Sequence, residues 1–456
     1  MADYRKMWED LGMDVDQHDV LCEVLPQAFG DVYLSQENRP EKMDYFNMVV
    51  AEIHGIRPAE LIEFQKNGGK VVGTFCIHVP DEVVFGCGAI NTGLCSGSQF
   101  WVPGGEKYLP TATCPLIKAS LGARFEKTCP FFRLADLFVG ETTCDGKKKA
   151  WEIMSKDAPM YIFDLPQMKR DKDVEFFKDE VYRYIDRIEE LTGNKLTPES
   201  LHDAIVLINN KRRAMQRLWE FRKLDNVPIS GKDCLLISQI AFYDDPTRFA
   251  QKVNELCDEL DKRKEQNVSV YKKGATRLML TGTPLSIPNW KLHHIIESSG
   301  AAVVCEEMCT GSRYFELTVD ESGKTMDEMV DHLTDRYMKG INCACYTPNT
   351  ERKEENPILV GKLEIFPFQR NVKWDHKIVP VVKREFDFLY LLASTPGRVY
   401  TYSQIYQLVW QEYPHGDITN IIYCMVHRLK QKLKKVDVNA EYIISSVKGI
   451  GYCLKV

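Results

Sequence analysis

The stretch from Asn91 to Glu152 constrains this chain more than any other, because it places four cysteines in loop contexts. Cys95 lies in NTGLCSG, Cys114 in LPTATCPLIKASLG, Cys129 in EKTCPFF and Cys144 in VGETTCDGKKKAWE. Pro or a small or acidic residue follows, so the sulfur can leave the backbone and face a cleft instead of packing in a strand or helix core. Two more cysteine-bearing turns lie far downstream, EEMCTGSRYF at Cys309 and NCACYTPN at Cys343 and Cys345. These segments are expected to converge on one iron–sulfur site.

A chain of 456 residues should hold two or three domains. No apolar run reaches the roughly 18 residues of a membrane span. MADYRKMWEDLG at the N-terminus is charged and amphipathic, unlike a secretion signal. A cytoplasmic protein with no membrane partner is therefore expected, and its fifteen cysteines should be free thiols or metal ligands instead of disulfides. Ile358 to Val456 carries fourteen Lys and Arg against eight Asp and Glu, a net +6, which leaves −12 on the rest of a chain whose total is −6. A basic end on an acidic body predicts that only this end meets a polyanion.

Residues 1–66 read as helices. GGKVVGTFCIHVP is a short strand, and PDEVVFGCGAIN a helix opening at Pro80. LADLFVGETTC reads as a strand that delivers Cys144, and APMYIFDLP as another. From Val174 to about Asn267 the pattern is helical. A second strand–helix–strand unit follows in TRLMLTGTPL, NWKLHHIIESSG and AAVVCEEMC, and INCACYTPN reads as a further strand end. The fold class is α/β, with two Rossmann- or flavodoxin-like subdomains, at 67–168 and 271–350, around a helical insertion at 169–270. A linker at 351–357 leads to a module at 358–456. In such sheets ligands collect outside the carboxyl ends of the strands, where Cys144, Cys309 and Cys345 are expected.

The cysteine spacings are long, 19, 15 and 15 residues from Cys95 to Cys144, and no paired CxxC suggests a zinc ribbon. Cys343 competes with Cys345, since a CxC in a strand sends its sulfurs to opposite faces. Cys22, Cys76, Cys87 and Cys305 lie in apolar stretches and read as packing thiols, as do the isolated Cys234, Cys257, Cys424 and Cys453. Lys147 to Lys149 are either a solvated helix face or charges that offset an anionic group. Glu141, before Thr142 and Thr143, is a candidate proton donor or a loop hydrogen-bond acceptor. No GxxxxGK[ST] occurs, so ATP hydrolysis by a P-loop is not expected of this polypeptide.

LPTATCPLIKASLG, CPFF, VGETTCDGKKKAWE and CTGSRYF resemble the 2-hydroxyacyl-CoA dehydratase superfamily, and within it the double-cubane cluster proteins, over about Tyr45 to Thr350. The resemblance implies three cluster ligands at Cys114, Cys144 and Cys345. The double-cubane branch adds three, assigned to Cys95, Cys129 and Cys309, which would hold an 8Fe-9S unit in place of a single 4Fe-4S cubane. It also implies a separate ATP-dependent iron–sulfur reductase as electron donor. The activity implied is reduction of small molecules, with a dehydratase-like lyase acting on 2-hydroxyacyl-CoA as a further alternative. A homodimer is expected.

EFDFLYLLASTPGRVYT, HRLKQKLKK and VKGIGYCL resemble the winged-helix effector domain of OmpR/PhoB-type response regulators, over about Leu359 to Val456. In that family the last helix enters the major groove of DNA. By position Asn420, Tyr423, His427, Arg428 and Lys430 would face DNA, with Lys448 on the wing. The family usually has Arg where Asn420 stands, Asp where Tyr423 stands and Arg where Cys453 stands. Two functions are expected to compete: a low-potential reductase localised or regulated by its winged helix, and a transcription regulator whose cluster senses redox state or a small molecule.

Overall fold

A computed structural model describes residues 4–94, 97–346, 357–367, 370–410, 414, 416 and 418–455. The chain forms two compact units, Met1–Asn349 and Thr350–Val456, each with its own apolar core.

In the first unit, β1 (Val71–Thr74), β2 (Ile90–Gly93), β3 (Leu137–Glu141) and β4 (Met160–Phe163) form one parallel sheet in the order β2-β1-β3-β4. β1 and β3 are buried along their whole length, as parallel strands covered on both faces must be, and their Val-, Leu- and Phe-rich sequences reflect it. Gly140 in β3 is needed for packing: a Cβ there would press into the indole of Trp151, which donates to the Glu141 carbonyl at 2.9 Å. β5 (Arg277–Thr281) and β6 (Ala302–Glu307) pair in parallel as a separate two-stranded sheet. Thus the expected second α/β subdomain carries only two strands among the described residues, and β5 is an edge whose exposure alternates along its length.

Long helices separate the two sheets along the chain. Asp171–Thr192 stops at Gly193, whose φ of 75° closes the last turn. Pro198–Phe221 opens with a Thr197–Ser200 capping box, and Pro246–Glu265 with Asp245 accepting from the Thr247 and Arg248 amides. Their apolar stripes enter the core through Leu201, Ile205, Met215, Phe249 and Leu256. Four helices occupy the N-terminal segment: Arg5–Asp10, Val15–Phe29, Met43–Ala51 and Ile56–Lys66. No helix among the described residues is long and apolar enough to cross a membrane.

INCACY, the part of INCACYTPN within the described residues, differs from its expected strand. The chain turns at Cys343 to Tyr346, with the Tyr346 amide bonded to the Cys343 carbonyl at 3.2 Å. The strict face alternation expected of a CxC in a strand therefore does not apply.

In the second unit, β7 (Ile358–Val360), β8 (Leu363–Phe366), β9 (Asn371–Trp374) and β10 (Lys377–Ile378) make an antiparallel meander. The helices Lys383–Ala393, Tyr402–Trp410 and Ile418–Val436 follow. β11 (Tyr400–Thr401) then pairs with the closing hairpin of β12 (Ile444–Val447) and β13 (Gly451–Leu454). Gly449 turns the hairpin with φ 74°. Three helices and a C-terminal hairpin wing make this a winged helix.

Candidate metal centre and nucleic-acid interface

The carboxyl ends of four strands lead into one cavity of about 610 Å³. β1 runs into Phe75 and Cys76, β3 into Thr143 and Cys144, β5 into Gly282 and Thr283, and β6 into Cys309, all on the cavity wall. Backbone sterics and sheet direction thus gather side chains far apart in sequence at the place where α/β sheets take ligands. Cys114 joins them from the residue before the helix Pro115–Phe125, and Cys343 and Cys345 from their turn. Cys144 stands likewise before the helix Asp145–Met154, so two helix N-termini aim their amide dipoles at this region.

The six thiols are not equivalent. Cys114 and Cys144 are exposed, while Cys76, Cys309, Cys343 and Cys345 are half-buried by surface area. Burial pushes the Cys309 thiol up to about 11, with Cys343 adding to the effect and Arg313 opposing it. Burial likewise drives Cys76 well above the usual thiol range, reinforced by Glu141. Cys343 and Cys345 share a hydrogen bond that pulls Cys343 down and pushes Cys345 up. The fully buried His78 lies 3.5 Å from the Cys345 sulfur through Nε2, and its Nδ1 lies 3.1 Å from the Tyr337 carbonyl oxygen. The ligand atoms of His78, Cys343 and Cys345 all fall within 4.8 Å of one another. Soft sulfur donors with an imidazole suit zinc, copper or iron–sulfur groups, and not magnesium or calcium.

Two cations reach this cavity. Arg313 grips Glu307 with two bonds of 2.6 and 2.7 Å, donates to the Gly282 carbonyl at 2.8 Å and approaches the Cys309 sulfur at 3.9 Å. Lys147 is ion-paired with Glu141, which also accepts from the Thr143 hydroxyl at 3.0 Å. Glu141 is completely buried and stands behind Lys147, not on the cavity wall.

A second polar cluster adjoins the cavity. Asp81, on its wall, accepts from the Tyr314 hydroxyl and from Asn91 Nδ2 at 2.6 Å. Lys211 Nζ lies 3.7 Å from Asp81 Oδ2. Arg212 donates to Glu82 at 2.7 Å and to the Tyr337 hydroxyl at 2.8 Å, and that hydroxyl donates to Glu82 at 2.7 Å. These groups tie the helices Asp81–Gly86 and Pro198–Phe221 to the turn Asp335–Gly340.

Of the six cysteines expected as ligands, the structure brings Cys114, Cys144, Cys309 and Cys345 to one wall, and adds Cys76 and Cys343. Cys95 lies outside the described residues. Cys129 does not join them: only 6% exposed, it lines a smaller neighbouring cavity with Leu21, Trp101 and Phe131, which shares Gly93 and Tyr243 with the first, and burial pushes its thiol up to about 11. The apolar TFCIHVP predicts a packing thiol at Cys76, yet β1 ends at Thr74 and its carboxyl end presents Cys76 to the cavity. Its place just past a strand was the signal available in the sequence. Cys87 is buried away from this cavity.

In the winged helix, Ile422, Met425, Val426, Leu429 and Leu433 bury one face of Ile418–Val436. Ile421 is 42% exposed. Asn420, Tyr423, His427 and Arg428 project outward at helical spacing, the Tyr423 and His427 rings stacked with centroids 6.3 Å apart. Lys430 sits half-buried, where desolvation lowers its ammonium below the usual lysine range despite Glu441. Lys448 is exposed at the tip of the wing.

The architecture is that of a thiol-lined α/β body carrying a winged-helix DNA-binding module. Residues 76–360 match the family model "2-hydroxyglutaryl-CoA dehydratase, D-component", and residues 376–454 match "Transcriptional regulatory protein, C terminal". The chain is 35% identical over 298 residues to the putative dehydratase subunit YjiM of Escherichia coli, covering 64% of this chain and 75% of that protein. It is 22% identical over 292 residues to the (R)-phenyllactyl-CoA dehydratase beta subunit of Clostridium sporogenes, covering 63% and 74%. Its C-terminal part is 32% identical over 108 residues to the transcriptional regulatory protein ResD of Bacillus subtilis, covering 24% of this chain and 45% of ResD. The chain belongs to the 2-hydroxyglutaryl-CoA dehydratase D-component family, fused to an OmpR/PhoB-type DNA-binding domain.

Proposed function

We propose that the cavity holds an iron–sulfur cluster of the double-cubane type and that the protein is a low-potential reductase of small molecules, served by a separate ATP-dependent iron–sulfur reductase. The observation that carries this reading is the convergence of Cys76, Cys114, Cys144, Cys309, Cys343 and Cys345 from separate chain segments on one cavity. The donor set fits such a group: thiolates in a partly dry pocket, with helix N-termini and two cations facing their charge. A bound cluster would supply single electrons at low potential. Lys147 and Arg313 offset negative charge, Glu141 and Glu307 hold these two cations in place, and Phe75, Ile77, Phe242 and Pro284 keep the wall apolar. The volume suits a small substrate beside the thiols.

Anaerobic purification with iron and sulfide counted per chain tests the reading. About eight irons, lost on Cys309→Ala or Cys144→Ala, support the double cubane. About four point to a dehydratase-like single cubane, and none after strict reconstitution rejects the cluster. A second reading, a redox-sensing regulator, is favoured by the outward face of Asn420, Tyr423, His427 and Arg428 and by the C-terminal family match. Under it, oxidation or reduction of the holoprotein changes its affinity for duplex DNA in an anisotropy titration, and under the first it does not.

A further inference from the structure

Reduction of a bound molecule needs protons as well as electrons, and the cavity wall offers a route that avoids the thiols. Asp81 and Tyr314 both line the cavity. The Tyr314 hydroxyl donates to Asp81 Oδ2, and Lys211 Nζ stands 3.7 Å behind that same oxygen and 4.8 Å from the centre of the Tyr314 ring. Lys211 is 5% exposed and Tyr314 1%. A buried ammonium whose nearest carboxylate opens onto a cavity is an unusual expense for a structural role, because desolvating both charges costs more than their attraction returns unless the geometry is very good.

Resting on the reductase reading above, we infer that Tyr314 is the proton donor of this cavity, supplied by Lys211 through Asp81. When one electron from the low-potential iron–sulfur donor reaches a bound substrate, the Lys211 ammonium closes its 3.7 Å gap to Asp81 Oδ2 and an N–H bond breaks as Asp81 takes the proton. The Tyr314 hydroxyl, freed from Asp81, turns to the substrate; its O–H bond breaks as that proton bonds to the substrate, and the Tyr314 oxygen takes the proton now on Asp81. The net change is one electron and one proton onto the substrate, with Lys211 left neutral until solvent restores its proton. Lys211 is suited to release it. Burial lowers its ammonium below the usual lysine range, Arg212 and Arg336 repel the charge, and Asp81 and Glu82 hold it against them. Tyr314 and Tyr337 supply the remaining titratable neighbours of the cluster.

The test uses the full chain. In the iron-loaded protein, with titanium(III) as reductant and acetylene as probe, Tyr314→Phe should cut ethylene formation about a hundredfold, with iron content unchanged. The rise of the cluster's midpoint potential as pH falls should flatten in the same variant. In the metal-free chain, Lys211 gives a separate readout. Between its lowered folded value and about 10.4 the unfolded chain holds a proton that the folded chain has released, so this group makes stability rise with pH. The thermal midpoint of wild type should therefore rise relative to that of Lys211→Met as pH rises toward about 10.4. Wild-type turnover and an unchanged potential slope in Tyr314→Phe overturn the inference alone. A pH-independent midpoint difference overturns the role of Lys211 whether or not iron binds. Iron-loaded wild type that reduces no probe counts against the reductase reading, and the Lys211 measurement then still decides its own part.

Discussion

Lys147 shows how one side chain serves both stability and chemistry. Its ammonium pairs with Glu141, which is fully buried at the end of β3. Replacing Lys147 with Met leaves that carboxylate without its charged partner, and should lower unfolding free energy by about 3–5 kcal/mol in a urea titration. Glu141→Gln in the same background should restore much of the loss, since no uncompensated charge then remains. The motif VGETTCDGKKK made this region legible, because a strand ending in Thr-Thr-Cys-Asp must turn into a helix start. It did not say which lysine turns inward. Lys147 does, while Lys148 and Lys149 remain half-exposed or exposed beside Asp145 and Glu152. That choice depends on helix phase relative to the sheet, which local sequence does not encode. The same limit explains Cys129. Its loop setting resembled that of Cys114, but the short helix Pro130–Leu134 carries Phe131, Phe132 and Leu134 into the core, and Cys129 goes inward with them.

At the scale of elements, the N-terminal helices have their own acid sensitivity. His18 on Val15–Phe29 and His54 before Ile56–Lys66 meet ring to ring at 2.9 Å, and Trp8 from Arg5–Asp10 packs on His18 and donates to the His54 carbonyl at 2.8 Å. Burial lowers His18 to about 4 and His54 to about 3, with each other's proximity adding to the latter. Both are neutral in the fold and protonated when unfolded at mildly acid pH. Stability is therefore lost as pH falls from about 6.5, the unfolded value, toward about 4. The thermal midpoint of the first unit should drop across that window, and His54→Gln should flatten the drop. Helices, parallel strands and the winged helix were legible because their apolar periods repeat over many residues. The turn at Cys343 to Tyr346 was not, since a strand-like INCACY gives no sign that Cys343 and Tyr346 will bond to each other. The small second sheet was hidden for a related reason: two short apolar runs predict strands but not how many neighbours join them.

The whole molecule joins two units with separate cores. Among the described residues, no buried apolar residue is shared between the cluster around Phe138 and Trp151 and the cluster around Leu389 and Leu429. A chain beginning at Thr350 should fold alone, and the full protein should show two calorimetric transitions, the higher or lower of which survives unchanged in the excised piece. A single transition that moves on excision would contradict this independence. Covalent continuity has a consequence for cellular arithmetic. Each transcript yields equal numbers of DNA readers and thiol-lined cavities, whatever the strength of its promoter. A separately encoded sensor and regulator must find each other by diffusion and can drift in ratio as expression fluctuates. Here the copy-number ratio is fixed because both parts lie on one polypeptide, so noise in abundance changes how many joined units a cell holds and not the ratio between the two parts.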